Sequence, residues 1–414
     1  MTTFTPTTSA EVLEAVRWAA GEGEPVEIVG HGSKRGIGRP LQTEHAVDCS
    51  GLSGVTLYEP EELVLSARAG TPVAEIEKLL SERHQEFAFE PMDYGPLLGG
   101  EAGRGTIGGL LSANLAGPRR LKAGAARDHI LGIHAVSGRG EAFKSGGRVV
   151  KNVTGYDLSK VMAGAWGTLA VLTDVTFKVL PRSETETTLA LRGLTEEQAV
   201  AAMAAAMGSS AEVSAAAHLP ETVTGKVLDG ALSSRASTLL RVEGFGPSVT
   251  YRTEMLKHLF SMLEIDAIDE TPSRTLWRQV RDVTPFADGT ARPVWRVSMA
   301  PSDGHRMVMA LRMQVAVDAF YDWQGGLVWL RMEGECEAAT LRALVKRHGG
   351  GHATLVRASF SERVAVPVFE PQPAALAALA ARLKTEFDPK AILNPGRMAA
   401  AHAVAGADRH ATGG

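Results

Sequence analysis

Three glycine-rich segments carry the residue types most able to do chemistry in this chain. The first is Gly30-His31-Gly32-Ser33-Lys34-Arg35-Gly36-Ile37-Gly38, fed by the short apolar run Val26-Glu27-Ile28-Val29. Such a turn aims several backbone N–H groups at one point, a nest for anionic phosphate oxygens. Lys34 and Arg35 would add positive charge; a plain tight turn is the alternative. No helix opens after this turn and no Gly-Lys-Ser/Thr follows, so it matches neither the dinucleotide fingerprint nor the P-loop. The second segment runs from Gly99 to Gly117 and contains Gly105-Thr106-Ile107-Gly108-Gly109 and Ser112-Ala113-Asn114. So many small residues suit a flat ligand better than a core. The Gly108-Gly109 pair opens a helical stretch whose N–H groups are predicted to meet a diphosphate. Thr106, Ser112 and Asn114 could hydrogen-bond the same ligand, while a flexible loop would explain the glycines alone. The third segment is Lys151-Asn152-Val153-Thr154-Gly155-Tyr156-Asp157-Leu158, then Gly164-Ala165-Trp166-Gly167-Thr168-Leu169-Ala170-Val171. Glycines before a strand let its first backbone groups lie against an adenine or ribose. Read by itself, this segment is a helix-to-strand turn.

These segments need elements to hold them. Thr8 and Glu11 have capping-box spacing, and Leu13, Val16 and Ala20 follow on one face, which predicts a first helix ending near Gly21 or Gly23. Val26 to Val29, Val47 to Cys49, Val55 to Tyr58 and Leu63 to Ala69 read as short strands. Thr71-Pro72 starts a helix with the stripe Val73, Ile76, Leu79 and Leu80. Further strands are expected at Ile130 to Val136, Glu141 to Lys144 and Leu169 to Leu180, closed by Pro181. Arg182 to Thr188 reads as a polar linker. Thr195 and Gln198 make a second capping box before an Ala-rich helical region running from Ala199 to His218. Strands and helices then alternate to about Val366. Pro367 to Pro373 is a link, Ala374 to Phe387 a last helix, and Asn394-Pro395-Gly396-Arg397 follows it.

Composition narrows the class. The 414 residues are 44% hydrophobic and 22% charged, with a formal charge of -4. That is an ordinary globular balance with no basic field for nucleic acid. Two cysteines, Cys49 and Cys336, are too few for a disulfide framework or a four-thiolate cluster. The start is polar and Thr-rich, so neither a signal peptide nor a transmembrane segment is expected. A cytoplasmic location is expected, with membrane association through partners left open.

Taken together, Gly30-x-Gly32-Ser33-Lys34, Gly105-Thr106-Ile107-Gly108-Gly109, Arg127-Asp128-His129-Ile130-Leu131-Gly132, Gly155-Tyr156-Asp157-Leu158, Gly167-Thr168-Leu169 and Asn394-Pro395-Gly396-Arg397 resemble the FAD-binding (PCMH-type) fold of vanillyl-alcohol oxidase and D-lactate dehydrogenase relatives. Ala116-Gly117-Pro118-Arg119-Arg120, Val150 to Leu158 and Gly351-His352-Ala353-Thr354-Leu355 resemble the FAD-binding E subunits of bacterial glycolate oxidases. The resemblance implies an α+β chain in four parts. Residues 1–182 form a two-lobed FAD-binding domain, and 183–366 an α+β cap. Residues 367–400 return to the first domain, and 401–414 are a disordered tail. It implies non-covalent FAD held by Gly30, His31, Gly32, Ser33, Lys34, Thr106, Ile107, Gly108, Gly109, Asn114, Gly117, Asp157, Gly167, Thr168, Val171 and Asn394. His31 stands one place off the Gly-Gly-His that tethers flavin in some members. The implied partners are a catalytic flavoprotein subunit and an iron–sulfur subunit, and the implied substrate is glycolate or a similar small 2-hydroxy acid.

The chain departs from the family in one respect. It has no His-x-x-Asp-Gly-Asn-x-His segment and no later Glu-His, the groups that bind metal and deprotonate the hydroxy acid in relatives. His348-Gly349-Gly350-Gly351-His352 stands near the second position, either as a glycine turn or as a pair of metal ligands. No metal is expected and no catalytic residue is assigned. Arg278, Arg296 and Arg357 are candidates for gripping a carboxylate, each against the simpler role of a salt bridge. Two rival functions remain: a self-sufficient FAD-dependent 2-hydroxy-acid dehydrogenase, and a structural subunit with an inert flavin.

Overall fold

The computed structural model describes residues 2–147, 156–232 and 234–399. The first helix, Ser9–Glu22, starts where the Thr8 side chain accepts the Glu11 N–H and ends at Gly23, whose φ of 74° a residue without a β-carbon adopts freely. It packs Val12, Val16 and Ala19 onto a three-stranded parallel sheet in the order Thr2–Phe4, His45–Asp48, Val26–Val29. A five-stranded antiparallel sheet lies beside it, in the order Val55–Glu59, Val64–Arg68, Ala170–Lys178, Ile130–Ser137, Ala142–Gly146. These two sheets are the two lobes of the FAD-binding domain. The strand Val64–Arg68 is buried on both faces, so Leu65 and Ala67 inside are matched by Val64 and Ser66, and Ser66 Oγ bonds Thr176 Oγ1 at 2.8 Å.

The cap is one eight-stranded antiparallel sheet. Its order is Ile265–Ile268, Thr185–Arg192, Ser237–Gly244, Ala215–Leu219, Val317–Asp322, Leu327–Met332, Val294–Met299, Gly351–Arg357. Two expectations fail here. The polar run Arg182 to Thr188 is no linker: Thr185–Arg192 is an inner strand. Its polar residues are tolerated because they are paired: Trp277 Nε1 donates to Thr188 Oγ1 at 2.7 Å, and Ser273 Oγ donates to the buried Glu186 at 2.6 Å. The Ala-rich stretch is also divided. Glu196–Met207 is a helix, but Ala215–Leu219 is a fully buried strand, where small side chains let the sheet lie close to its neighbours. Tertiary burial overrides helix propensity there.

A buried charge cluster joins the cap to the first domain. Arg241 of the cap grips the Glu90 carboxylate with two bonds, of 2.7 and 2.9 Å. Arg119 reaches Glu86 at 2.6 Å and Glu243 of the cap at 2.8 Å. Burial alone would raise the Glu90 carboxyl, but Arg119 and Arg241 override it and hold it down to about 2. The C-terminal segment returns as expected. After the exposed helix Ala374–Phe387, Leu393 bridges Val26 at the edge of the three-stranded sheet, and Ile392 and Leu393 are fully buried. The tail beyond residue 399 and the segment Lys151 to Gly155 lie outside the described residues.

Candidate cofactor site

A cleft opens between the two lobes. Its walls come from the end of strand Val26–Val29, the glycine turn Gly30–Arg35, the start of helix Ile107–Ser112, the turn Trp166–Gly167 and the C-terminal Asn394 and Arg397. Of the sixteen residues implied by sequence to hold the cofactor, Gly30, His31, Gly32, Ser33, Lys34, Thr106, Gly108, Gly109, Gly167 and Asn394 line this cleft.

The first turn has the features of an anion nest. Gly32 has φ 76°, and the Arg35 N–H bonds back to the Gly32 carbonyl at 3.0 Å. The N–H groups of His31, Gly32, Ser33 and Lys34 have no hydrogen-bond acceptor among the described residues. Among the described residues, Lys34 Nζ donates only to Ser33 Oγ, at 3.3 Å, and pairs with no carboxylate. Burial pulls its pKa down to about 8, against the opposing field of Asp93. His31 Nδ1 is buried without a partner as well. Arg35, by contrast, is committed to Glu27, which also takes Arg397 at 3.0 Å. Unpaired N–H groups in such a turn, beside an unpaired ammonium, have the donor set that an anion requires. That donor set suits the oxygens of a diphosphate.

The second segment behaves differently from its expectation. Helix Ile107–Ser112 does open at the glycine pair, but its first N–H groups are already engaged. Ile107 and Gly108 donate to the Thr71 and Ala69 carbonyls at 2.9 and 2.8 Å, and Gly109 donates to the Thr106 side chain at 3.2 Å. These are not free donors for phosphate. The glycines serve close approach instead: a β-carbon on Gly108 would stand 2.8 Å from that of Ala69, and one on Gly109 would stand 3.3 Å from Lys34 Nζ. Thr106 presses against Gly30, where an added β-carbon would meet Thr106 Oγ1 at 2.8 Å. The two glycine segments therefore build one wall together.

Six implied residues lie outside the cleft lining. Ile107 is core. Asn114, with φ 49°, accepts the Arg127 N–H at 3.0 Å. The Gly117 carbonyl accepts Trp323 Nε1 of the cap at 2.9 Å. Asp157 precedes a short helix and pairs with Lys160 at 3.0 Å. Thr168 bonds the Ala165 carbonyl at 2.7 Å. Val171 points into the core under the first helix, and its neighbours Ala170 and Leu172 line the cleft instead, as strand alternation requires.

Asn394 acts as a clamp. Its Oδ1 accepts the Ile28 N–H at 2.8 Å and its Nδ2 donates to the Trp166 carbonyl at 2.8 Å. Gly167 has φ 69°, and a β-carbon there would stand 2.7 Å from Asn394 Nδ2. Sequence reasoning assigned no cofactor role to Trp166, Arg397, Cys49 or Ala69, all of which line the cleft. Trp166 carried a signal, since a bulky ring between Ala165 and Gly167 has to be placed somewhere. Cys49 is chemically quiet, because burial pushes its thiol up to about 12.

The three arginine candidates separate. Arg357 is saturated by the Arg292, Leu97 and Phe286 carbonyls at 2.8, 3.1 and 2.7 Å. Arg278 is exposed on a helix surface. Arg296 lies over the Trp323 ring and has no ion pair among the described residues. His348 and His352 flank three glycines of positive φ, which form a turn leading into strand Gly351–Arg357. Among the described residues no group of three or more His, Cys, Asp or Glu is arranged to hold a metal, and no helix is long and apolar enough to cross a membrane.

Comparison with known proteins agrees with this geometry. Residues 2–146 match the family model for an FAD binding domain. The chain is 33% identical to the glycolate oxidase subunit GlcE of Escherichia coli over 393 residues, covering 94% of this chain and 97% of that one. It is 29% identical to a D-lactate dehydrogenase of Archaeoglobus fulgidus over 47% of this chain and 42% of that one. Among solved structures, p-cresol methylhydroxylase superposes with a TM-score of 0.71 at 14% identity, covering 96% of this chain and 88% of that chain, a likeness of fold alone. An FAD-linked oxidoreductase by fold, by cofactor and by its relatives, this chain belongs to the family of the glycolate oxidase subunit GlcE.

Proposed function

We propose that this chain is the FAD-binding subunit of a glycolate oxidase complex and takes part in oxidising glycolate, or a similar small 2-hydroxy acid, to the 2-oxo acid. The observation that carries this reading is the unpaired Lys34 ammonium beside the free N–H groups of His31 to Lys34, in a chain similar over nearly its whole length to a glycolate oxidase subunit. Bound FAD would supply the two-electron acceptor for hydride leaving the hydroxyl-bearing carbon. The protein's part is to hold and orient it. Lys34 and the first turn take the diphosphate, without covalent attachment. Thr106, Gly108 and Gly109 shape the wall, and Asn394 keeps Trp166 and Gly167 in place below. Among the described residues, the ionisable groups lining the cleft are His31, Lys34, Arg35, Cys49 and Arg397, and none is a carboxylate. The cleft is therefore built to bind an anionic cofactor. Electrons would pass from it to a partner flavoprotein subunit and an iron–sulfur subunit, since two buried, separate cysteines cannot hold a cluster.

The test is anaerobic addition of glycolate to the flavin-loaded chain, alone and with its partner subunits, while flavin absorbance is followed. The expected result is bleaching once the partners are present. Bleaching by the chain alone would favour a self-sufficient dehydrogenase. A purified chain that carries no flavin and takes none up would overturn the reading.

A further inference from the structure

The cap presents a half-buried cation, Arg296, that no carboxylate pairs with among the described residues. Arg296 sits on strand Val294–Met299, opposite Trp329 on one side and Thr354 on the other, on the sheet face turned toward the first domain. It is half-buried, and its guanidinium makes no hydrogen bond and no ion pair among the described residues. It lies over the indole of Trp323 at 4.9 Å, a contact that holds a guanidinium without consuming its N–H donors. A second guanidinium, Arg120, stands 5.7 Å from the same ring. Its one carboxylate is the half-exposed Asp128 at 3.6 Å. Tyr94 is the third group. Its ring is buried in the core, its hydroxyl has no partner among the described residues, and burial raises its pKa against the opposing field of Arg296, so it stands as a neutral O–H donor. Asp322, the acid on this side of the sheet, accepts the Trp323 backbone N–H at 2.7 Å, and burial holds its carboxyl up to about 7, so it is a poor counter-charge near neutrality.

Two of the three groups come from the first domain. Tyr94 follows Asp93, whose field reaches Lys34 and whose carboxylate holds the Gly95 and Gly103 N–H groups at 3.0 and 2.6 Å. Arg120 follows the loop that leaves helix Ile107–Ser112, where Ser112 lines the cleft. The third, Arg296, is brought against them by the cap. Its sheet is fixed there by Trp323 Nε1 on the Gly117 carbonyl and by Arg357 on the Leu97 carbonyl.

The geometry points to a small-carboxylate subsite formed by Arg296, Arg120 and Tyr94 over Trp323, in which the substrate's carboxylate is gripped by cap and FAD domain together. The inference rests on the reading of the chain as a 2-hydroxy-acid-oxidising subunit and names the part of the site that selects the acid. A planar carboxylate accepts two parallel N–H bonds from one guanidinium, with the tyrosine hydroxyl free to donate a third. A neutral alcohol leaves Arg296 uncompensated, so the site discriminates for the acid.

The probe is oxalate, which has no C–H hydrogen to give, titrated calorimetrically into the flavin-loaded chain. Arg296→Gln is expected to weaken oxalate binding by about tenfold or more, Arg296→Lys to keep part of it, and Tyr94→Phe to lose severalfold. Arg278→Gln, on the helix surface, is expected to bind as the parent does. Flavin content and melting temperature of each variant show that it is folded. Unchanged oxalate binding in a folded Arg296→Gln variant, or no oxalate binding by the parent, overturns the site. Glycolate reduction with partner subunits present separates the two readings. If oxalate binding depends on Arg296 but glycolate never reduces the flavin, the subsite stands and the proposed oxidation falls. If Arg296→Gln is reduced at the same half-saturating glycolate as the parent, the oxidation stands and the subsite falls.

Discussion

Replacing Lys34 with Met keeps the apolar stem and removes only the ammonium. In the protein without its cofactor that ammonium is pulled down to about 8 by burial, with Asp93 opposing. A diphosphate placed against it favours the charged form and raises the pKa again, so FAD binding takes up a proton wherever Lys34 was neutral beforehand. The direction follows. Below a pH of about 8 the lysine is already charged and affinity is at its full value; above about 8 each binding event must first protonate it, and affinity falls. With the pKa near 8 before binding, about nine-tenths of the chains are charged at pH 7 and about one-tenth at pH 9, so the FAD Kd rises by about tenfold between them. Losing one charge-assisted hydrogen bond costs about 1.5–3 kcal/mol, so Lys34→Met is expected to bind FAD about ten- to a hundredfold more weakly at pH 7. Because the variant has no titrating group at this position, its Kd is expected to change little from pH 7 to pH 9, and the two proteins converge as pH rises. Titration of the flavin-free chain with FAD, read by quenching of flavin fluorescence, measures all four constants. Equal affinity of the parent at both pH values, or the same fall in Lys34→Met, refutes the assignment of the diphosphate to Lys34.

The interdomain charge cluster and the C-terminal clamp have their own consequences. Glu90→Gln leaves Arg241 and Arg119 short of a counter-charge inside the protein. Holding that carboxyl at about 2 rather than 4.5 corresponds to about 3 kcal/mol, which sets the expected loss of stability in denaturant titrations near neutral pH. Because the folded pKa is the lower one, this contribution is complete above about 4.5 and is lost as pH falls through about 2, so the gap between parent and variant is expected to narrow in acid. A gap independent of pH would show that Glu90 acts through shape and not charge. Asn394→Ala frees the Ile28 N–H and the Trp166 carbonyl together. The expected result is a loss of about 1–3 kcal/mol with a lower melting temperature and weaker FAD binding in the same variant. An unchanged melting temperature would remove Asn394 as the clamp.

Some of this protein was legible residue by residue. The Thr8 cap, the Gly23 stop, the strand into Gly30 and the helix at Gly108-Gly109 all formed where expected, since each depends on neighbours within a few positions along the chain. The strand Thr185–Arg192 was illegible for the opposite reason: its polar residues look like a linker until Ser273 and Trp277, more than eighty positions away, arrive to bond them.

The sequence alone determined the local backbone: where glycines allow positive φ, where caps begin helices, and the order of motifs that marks an FAD-binding chain. Only the tertiary structure decided which donors remain free. It closed the N–H groups of Gly108 and Gly109 against Ala69 and Thr106, and left those of His31 to Lys34 open. It spent both ends of Asn394 on backbone 366 and 228 positions away. It saturated Arg357 with carbonyls while leaving Arg296 unpaired above Trp323. Whether a polar group is satisfied depends on what the rest of the chain brings within about 3 Å of it, and spacing along the sequence does not encode that distance.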